Sequence, residues 1–429
     1  MPSPRRPTSL SAPAAYLIQE GVAALALALA FTVQAVYFVQ GLGLSPFQLV
    51  LVGTVLELTC FLFEIPTGVV ADVYSRRLSV ILGFLGLGLS FVVIALVPTF
   101  AGVLAAQIVA GLGYTFLSGA QAAWLTDEVG EDRVGALFVR GAQAAAVGGI
   151  AGTLLSAGLG SVNLLLPIGV GAAVLGGLAL GLALAMPERG FTPPPRGERS
   201  LWNAEGWRAL GATFGDGVRV VRTRPVLRGL LAVALLFGAS TEALDRLWQF
   251  HLLETFTLPR RWGLTDAAWF GLIALAGQLL GLLVTEGLRR RLHVETAPQA
   301  ASWLARLTAL GILAGLVFAL AGQFWLALGA FLAGGVLRGL YGPVYTAWLN
   351  QGLDSRVRAT VISIASQADA LGQVAGGPAV GYLGTVSGVR VALAATALLR
   401  VPMLWLFLRS GSAPRGGPAP LSAEERAAG

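Results

Sequence analysis

Apolar runs of about 20 residues follow one another along the whole of this chain, and each is long enough to cross the hydrocarbon core of a bilayer as a helix. Twelve such spans are predicted, at 15–40, 47–71, 78–97, 101–124, 134–158, 162–186, 226–250, 267–287, 299–320, 323–347, 359–383 and 388–408. A backbone in lipid must satisfy its own hydrogen bonds, so only helices and closed barrels can span. The strict alternation of barrel strands is absent, which leaves an all-α membrane protein. Composition agrees: 12% of residues are charged, against about 25% in a soluble domain.

The few charges set the topology. All 29 basic residues are arginine, and those between spans concentrate in alternate loops. The loops after spans one, three and five, at 41–46, 98–100 and 159–161, carry no charge. Those after spans two, four, eight and ten hold Arg76 and Arg77, Arg133, Arg289 to Arg291, and Arg356 and Arg358. Arginine-rich loops stay in the cytoplasm, so both termini are expected there, in a multi-pass protein of the bacterial cytoplasmic (inner) membrane. Arg260 and Arg261 after span seven run against the pattern, but Glu254 and Asp266 flank them. The net charge of +7 thus reflects topology and implies no nucleic-acid partner. The single cysteine, Cys60, lies in an apolar run and reads as a small buried hydrophobe that forms no intrachain disulfide.

Composition also divides the chain. Residues 1–14 read as a retained cytoplasmic tail, 15–186 as one six-helix bundle, 187–225 as a linker, 226–408 as a second bundle and 409–429 as a disordered tail. The linker starts with the stiff Phe191-Thr-Pro-Pro-Pro-Arg segment. It continues with Trp202, Trp207, Leu210, Phe214 and Val218 at helical spacing and Arg208, Arg219 and Arg222 on another side. That pattern suits an amphipathic helix on an anionic leaflet, or a solvated connector.

The two bundles share a register. Trp124 and Trp348 each sit in an Ala-Trp-Leu triplet; 19 residues on lie Gln143 and Gln367, 24 on Gly148 and Gly372, and 28 on Gly152 and Gly376. Parallel six-helix repeats are one known plan for a transporter. The glycines at these positions are expected to allow close helix contact. Trp124, Trp248 and Trp348 lie near span ends and suit interfacial anchoring.

Between spans two and three stands Gly68-Val-Val-Ala-Asp72-Val-Tyr-Ser-Arg76-Arg77, and Glu286, Arg290 and Arg291 repeat the acid-to-arginine spacing in the second half. On these residues the chain resembles the major facilitator superfamily (MFS), over nearly its whole length. That family carries G-x-L-A-D-x-x-G-R-[KR] in this loop, matched here by Gly68, Ala71, Asp72, Arg76 and Arg77. Ser75 replaces the usual glycine and Val73 an often basic residue, which implies a less tight turn; the echo has Leu282 at the glycine position. Glu64-Ile65-Pro66-Thr67 is similar to drug-efflux members, whereas Gln107 stands where those often have arginine, and Gly377-Pro378 with Gly381 only resembles an antiporter signature. The resemblance implies twelve helices in two pseudo-symmetric six-helix bundles, working by alternating access. It also implies that Asp72 holds one gate state, by pairing with a nearby arginine and a helix end of the other half. Topology anchoring is the other reading of Asp72, Arg76 and Arg77.

Acids inside spans are costly, about 2.5–3.5 kcal/mol at mid-membrane on insertion scales, and mark function or pairing. Glu57 and Glu64 lie two turns apart on one face of span two. Glu57 must be protonated, paired or facing a wet cavity; proton carriage and a structural hydrogen bond are the two readings. Glu64 suits gate support or proton coupling. In span seven Glu242 and Arg246 are four apart and can pair, while Asp245 and Arg246 diverge by about 100°. Arg338 in span ten and Arg400 in span twelve need counter-charges, and Asp369 in span eleven is available to either. Gln34, Gln143 and Gln367 offer hydrogen bonds to a substrate.

No G-x-x-x-x-G-K-[ST] loop is present, so ATP is not expected to drive the chain; His251 and His293 are isolated and no metal or cofactor site is expected. The expectation is a monomeric, non-enzymatic secondary transporter whose partners are a small-molecule substrate, the proton and the lipid bilayer. Proton-coupled export of a small, partly apolar compound or drug is the leading mode. Uptake of a metabolite by symport or uniport, and a non-transporting membrane sensor, are the alternatives.

Overall fold

The computed structural model describes residues 10–192, 225–259, 263–289, 296–350 and 355–411. The amphipathic segment 202–224, the arginines 260–261 and the echo residues Arg290 and Arg291 lie outside these, as does the side chain of Glu286.

The first half comprises α1 (Ala12–Val36, prolonged by a π turn at Tyr37–Gly41), α2 (Pro46–Val73), α3 (Arg76–Leu96), α4 (Phe100–Leu117, continued by Ala120–Val129), α5 (Glu131–Val162) and α6 (Leu165–Ala185). The second comprises α7 (Pro225–Thr255), α8 (Asp266–Arg289), α9 (Ala297–Leu320), α10 (Phe324–Asn350), α11 (Ser355–Ser387) and α12 (Val389–Leu398, continued by Val401–Gly411). Among the described residues, ten of the twelve are long and apolar enough to cross a membrane. The other two, α7 and α11, are 31 and 33 residues long and are not among those ten. They hold Glu242, Asp245, Arg246 and Asp369.

The ends follow from capping. Ser45 accepts from the Gln48 backbone while Gln48 Oε1 accepts from Ser45 N, a capping box before Pro46. Ser75 accepts from Leu78 N at 2.9 Å and so caps α3. The serine that replaces the family's glycine is therefore a helix cap in extended backbone, not a loosened turn. Gly119, at φ +70°, separates the two parts of α4 in a conformation that favours glycine.

The two halves pack alike. α1 lies on α5 and α7 on α11, while α3 lies on α4 and α9 on α10. The register glycines make these contacts. A Cβ on Gly148 would strike the Gly21 carbonyl of α1, and one on Gly372 the Leu235 carbonyl of α7. Gly152 and Gly376 face Leu25–Ala28 and Ala239 in the same manner. Between halves, α2 packs on α11 and α5 on α8.

These interfaces close at the end opposite the arginine-bearing loops. There Phe47 N donates to Thr385 Oγ1 at 3.1 Å, Gln40 Nε2 to Asp266 Oδ2 at 2.6 Å, and Ser161 and Thr265 share a hydrogen bond. One hydrophobic core runs through both halves at that end, from Val50 and Phe91 to Leu247, Phe270 and Phe324. Towards the arginine end the second half keeps its own core, with Leu304, Tyr341 and Phe407, and a gap of about 440 Å³ separates α5 from α8.

Candidate functional site

Where the halves part, they enclose a cavity of about 620 Å³. Its walls come from α1, α2, α3, α4, α5, α7 and α8, with Phe31, Phe38, Phe91, Trp248 and Phe270 as the apolar surfaces. The larger polar groups are few: Gln34, Glu57, Gln107, Tyr114, Asp245, Arg246, Gln249 and Gln278, with the hydroxyls of Thr32, Ser90 and Thr153. Mostly apolar walls with a few polar groups describe a small-molecule site of ordinary size.

Most of the charged groups are already engaged. Arg246 Nε donates to Glu242 Oε1 at 3.0 Å, and the Glu242 side chain is only 3% exposed. This pair presses against Gly53 of α2, where a Cβ would overlap both Glu242 Oε1 and Arg246 Nε. An α7 ion pair thus seats on the other half, and only a glycine leaves room for it. Arg338 makes a bidentate pair with Asp245, Nη2 donating to Oδ2 at 2.7 Å. Gln249 donates to the Thr32 carbonyl at 3.3 Å and Gln278 to Thr153 Oγ1 at 2.9 Å, both across the halves. Among the described residues Glu57 has no hydrogen-bond or ion-pair partner, although its carboxyl lines the cavity.

Of the residues singled out in the sequence, Gln34, Glu57 and Asp245 line this space, with Glu242 and Arg338 one contact behind. Glu64 lies away from it and accepts from Ser118 Oγ at 2.6 Å. Asp369 is the partner of neither arginine: it accepts from Gln373 Nε2 at 2.8 Å, because helix rotation turns Asp245 towards Arg338 instead. Asp369 borders a separate crevice of about 400 Å³ with Phe237, Tyr341, Tyr345 and Arg338. Gln143 is exposed on α5 and Gln367 lines neither space, so neither faces the cavity. Cys60 lines the cavity wall and is partly accessible, not sealed in a core.

The tryptophans depart from interfacial anchoring. Trp124 is 1% exposed and donates to the Pro187 carbonyl at 2.7 Å. Trp248 stacks on Phe331 at 4.4 Å in the cavity wall, and Trp348 packs against Phe407. Gln249, Gln278 and Tyr114 were not singled out. For Gln278 the available signal is a lone glutamine in an otherwise apolar span; Gln249 is one more polar group in the charged span α7.

At the arginine end Arg76 pairs with Asp127 of α4 and donates to the Ala123 carbonyl. Asp72 is 71% exposed and 3.8 Å from Arg76. Arg77 N and Ser75 Oγ donate to Glu188, which ties the start of the linker to α3. No atom lies within 4 Å of a Cβ built on Gly68. The loop motif is therefore held within the first half and unengaged by the second among the described residues.

The family model of the Major Facilitator Superfamily matches residues 17–301. The chain is 22% identical over 361 residues to an uncharacterized MFS-type transporter, YxaM of Bacillus subtilis (strain 168), covering 83% of this chain and 86% of that one. Among solved structures, the nucleoside transporter NupG aligns with TM-score 0.71 at 13% identity over 94% of this chain and 100% of that one. A POT family transporter in complex with 5-aminolevulinic acid aligns with TM-score 0.71 at 13% identity over 92% and 95%. A bacterial homolog of the human lysosomal transporter Spinster, inward-facing and unoccupied, aligns with TM-score 0.67 at 15% identity over 93% and 96%. With the paired six-helix halves and the loop motif, these matches make the chain a multi-pass membrane transporter, and it belongs to the major facilitator superfamily.

Proposed function

We propose that this protein exports a small, partly apolar compound from the cytoplasm across the bacterial inner membrane in exchange for protons. The single observation that carries the reading is Glu57, a carboxyl without a partner among the described residues, on the wall of a mostly apolar, half-closed cavity. Such a group has two occupants to choose between, a proton and a cationic substrate, and exchange of one for the other is antiport. The neighbouring charges cancel in pairs, Arg246 with Glu242 and Arg338 with Asp245. The remaining negative group then favours a cation, and the aromatic walls favour an apolar body.

The arginine-bearing loops put the open end and both termini in the cytoplasm by the positive-inside rule. Rocking of the halves about the central cavity would alternate access. In this state the α2–α11 and α5–α8 interfaces are shut at the far end, and Asp72 and Gly68 are free to engage the second half when the near end shuts. A second reading, uptake of a small metabolite, draws on the glutamines Gln34 and Gln107 on the cavity wall, which suit a hydrogen-bonding solute.

The test is dye and lipophilic-cation accumulation in efflux-deficient bacteria, comparing the wild type with Glu57→Gln at matched expression. Lower accumulation with the wild type, abolished by the substitution and by collapsing the proton gradient, supports export. Equal accumulation in all conditions would move the reading to metabolite uptake in proteoliposomes.

A further inference from the structure

Among the described residues Arg400 has no carboxylate partner. It sits at the break in α12, near mid-span, and its guanidinium turns into the second half. Nε donates to Ser240 Oγ of α7 at 3.1 Å, and Nη1 lies 3.5 Å from a Cβ built on Gly311 of α9. Of the acids in the neighbouring spans, Asp245 pairs with Arg338 and Glu242 with Arg246, while Asp369 accepts from Gln373 and forms no ion pair with Arg400. An arginine at this depth without a counter-charge is costly.

The space beside it is built for one. Arg400 lines a small cavity of about 20 Å³ with Thr308, Tyr341 and Arg338. Thr308 Oγ1 and Tyr341 Oη are buried, 5% and 8% exposed by residue, and neither has a hydrogen-bond partner among the described residues. An orphaned buried hydroxyl calls for an occupant. A space above about 10–15 Å³ holds one water-sized particle. The guanidinium N–H groups facing it can only donate, and each of the two hydroxyls can turn its O–H towards the same point. Water would satisfy the hydroxyls and leave the charge, whereas an anion satisfies both.

We propose that the second half holds one small monovalent anion of halide size, chloride, between Arg400, Thr308 and Tyr341. It acts as the resident counter-ion of Arg400 and ties α9, α10 and α12 together, apart from the central cavity. The site does not depend on the export reading.

The test is thermal unfolding of the purified full chain in detergent, in sodium gluconate with chloride, bromide or sulfate added at constant ionic strength. A ligand that binds only the folded state raises the melting temperature by mass action, here by a few degrees and saturably, for chloride and bromide but not sulfate. Arg400→Gln should abolish the rise. The double variant Thr308→Val/Tyr341→Phe keeps the charge and removes two donors, so it should weaken the chloride midpoint by about tenfold or more. It carries the test if Arg400→Gln does not fold. A rise that is equal in sulfate, a rise that persists undiminished in the variants, or no rise at all would overturn the proposal; the last would mean an ordered water only.

Discussion

The two halves share a frame and divide the chemistry. Gly148 and Gly372 do the same work on α1 and α7, and the main helix pairings, α1 on α5 with α7 on α11 and α3 on α4 with α9 on α10, correspond. Their membrane charges do not match. The first half brings a single unpartnered carboxyl, Glu57, to the cavity; the second carries Glu242, Asp245, Arg246, Arg338, Asp369 and Arg400 in a tight set. The lesson is that duplication preserves packing, which every repeat needs, while polar groups at cavity positions are free to diverge. A lone acid is suited to binding and release. The two neutralised pairs in the second half, Glu242 with Arg246 and Asp245 with Arg338, are suited to holding helices in register.

That contrast assigns different failures to the halves. Glu57→Gln should abolish gradient-driven transport and leave the melting temperature of the purified protein unchanged, because no partner loses a bond. Asp245→Asn and Arg338→Met should each cost stability, by about 1–3 kcal/mol for a part-exposed pair robbed of one member. The double variant should be less damaged than the sum, as a double-mutant cycle in chemical denaturation would register. If Glu57→Gln unfolds the protein while Asp245→Asn does not, the division of labour is the reverse of the one drawn here.

The shared frame makes a milder prediction. Gly148→Val and Gly372→Val should destabilise by similar amounts, about 1–3 kcal/mol each, since both force a helix pair apart. Unequal losses would show that one half tolerates separation. The smallest effect belongs to the loop after α2: Asp72→Asn should move stability by no more than about 0.5 kcal/mol, because the side chain is exposed in this state. Its transport rate should still fall if Asp72 serves the opposite state.

Much of the frame is legible in the sequence. Hydropathy alone predicts twelve spans, and the one at 162–186 becomes Leu165–Ala185. The glycine register of α5 and α11 is readable because close backbone approach demands glycine whatever the helix rotation. Pairing is not readable in that way. Asp369 and Asp245 are equally plausible partners for Arg338 until the rotation of α7 against α10 is known. Trp124 shows the same limit: position near a span end suggests lipid headgroups, yet its ring points inward to the Pro187 carbonyl. Departures from a family pattern also mislead without geometry, since Ser75 replaces a turn glycine by capping a helix.

The most direct test of alternating access at this cavity uses Cys60, the only cysteine in the chain, which lines its wall. Gly53→Leu drives a side chain into the Glu242–Arg246 pair at the seal. Such overpacking costs about 1–3 kcal/mol in this state, and a penalty of about 2 kcal/mol shifts populations roughly 30-fold. A membrane-impermeant maleimide should label wild-type Cys60 from the cytoplasmic face in inside-out vesicles and scarcely from the outer face. Gly53→Leu should raise labelling from the outer face. Equal labelling from both faces in the wild type, or an outer-face rate unmoved by Gly53→Leu, would contradict a cavity sealed by that contact and opened in turn to each side.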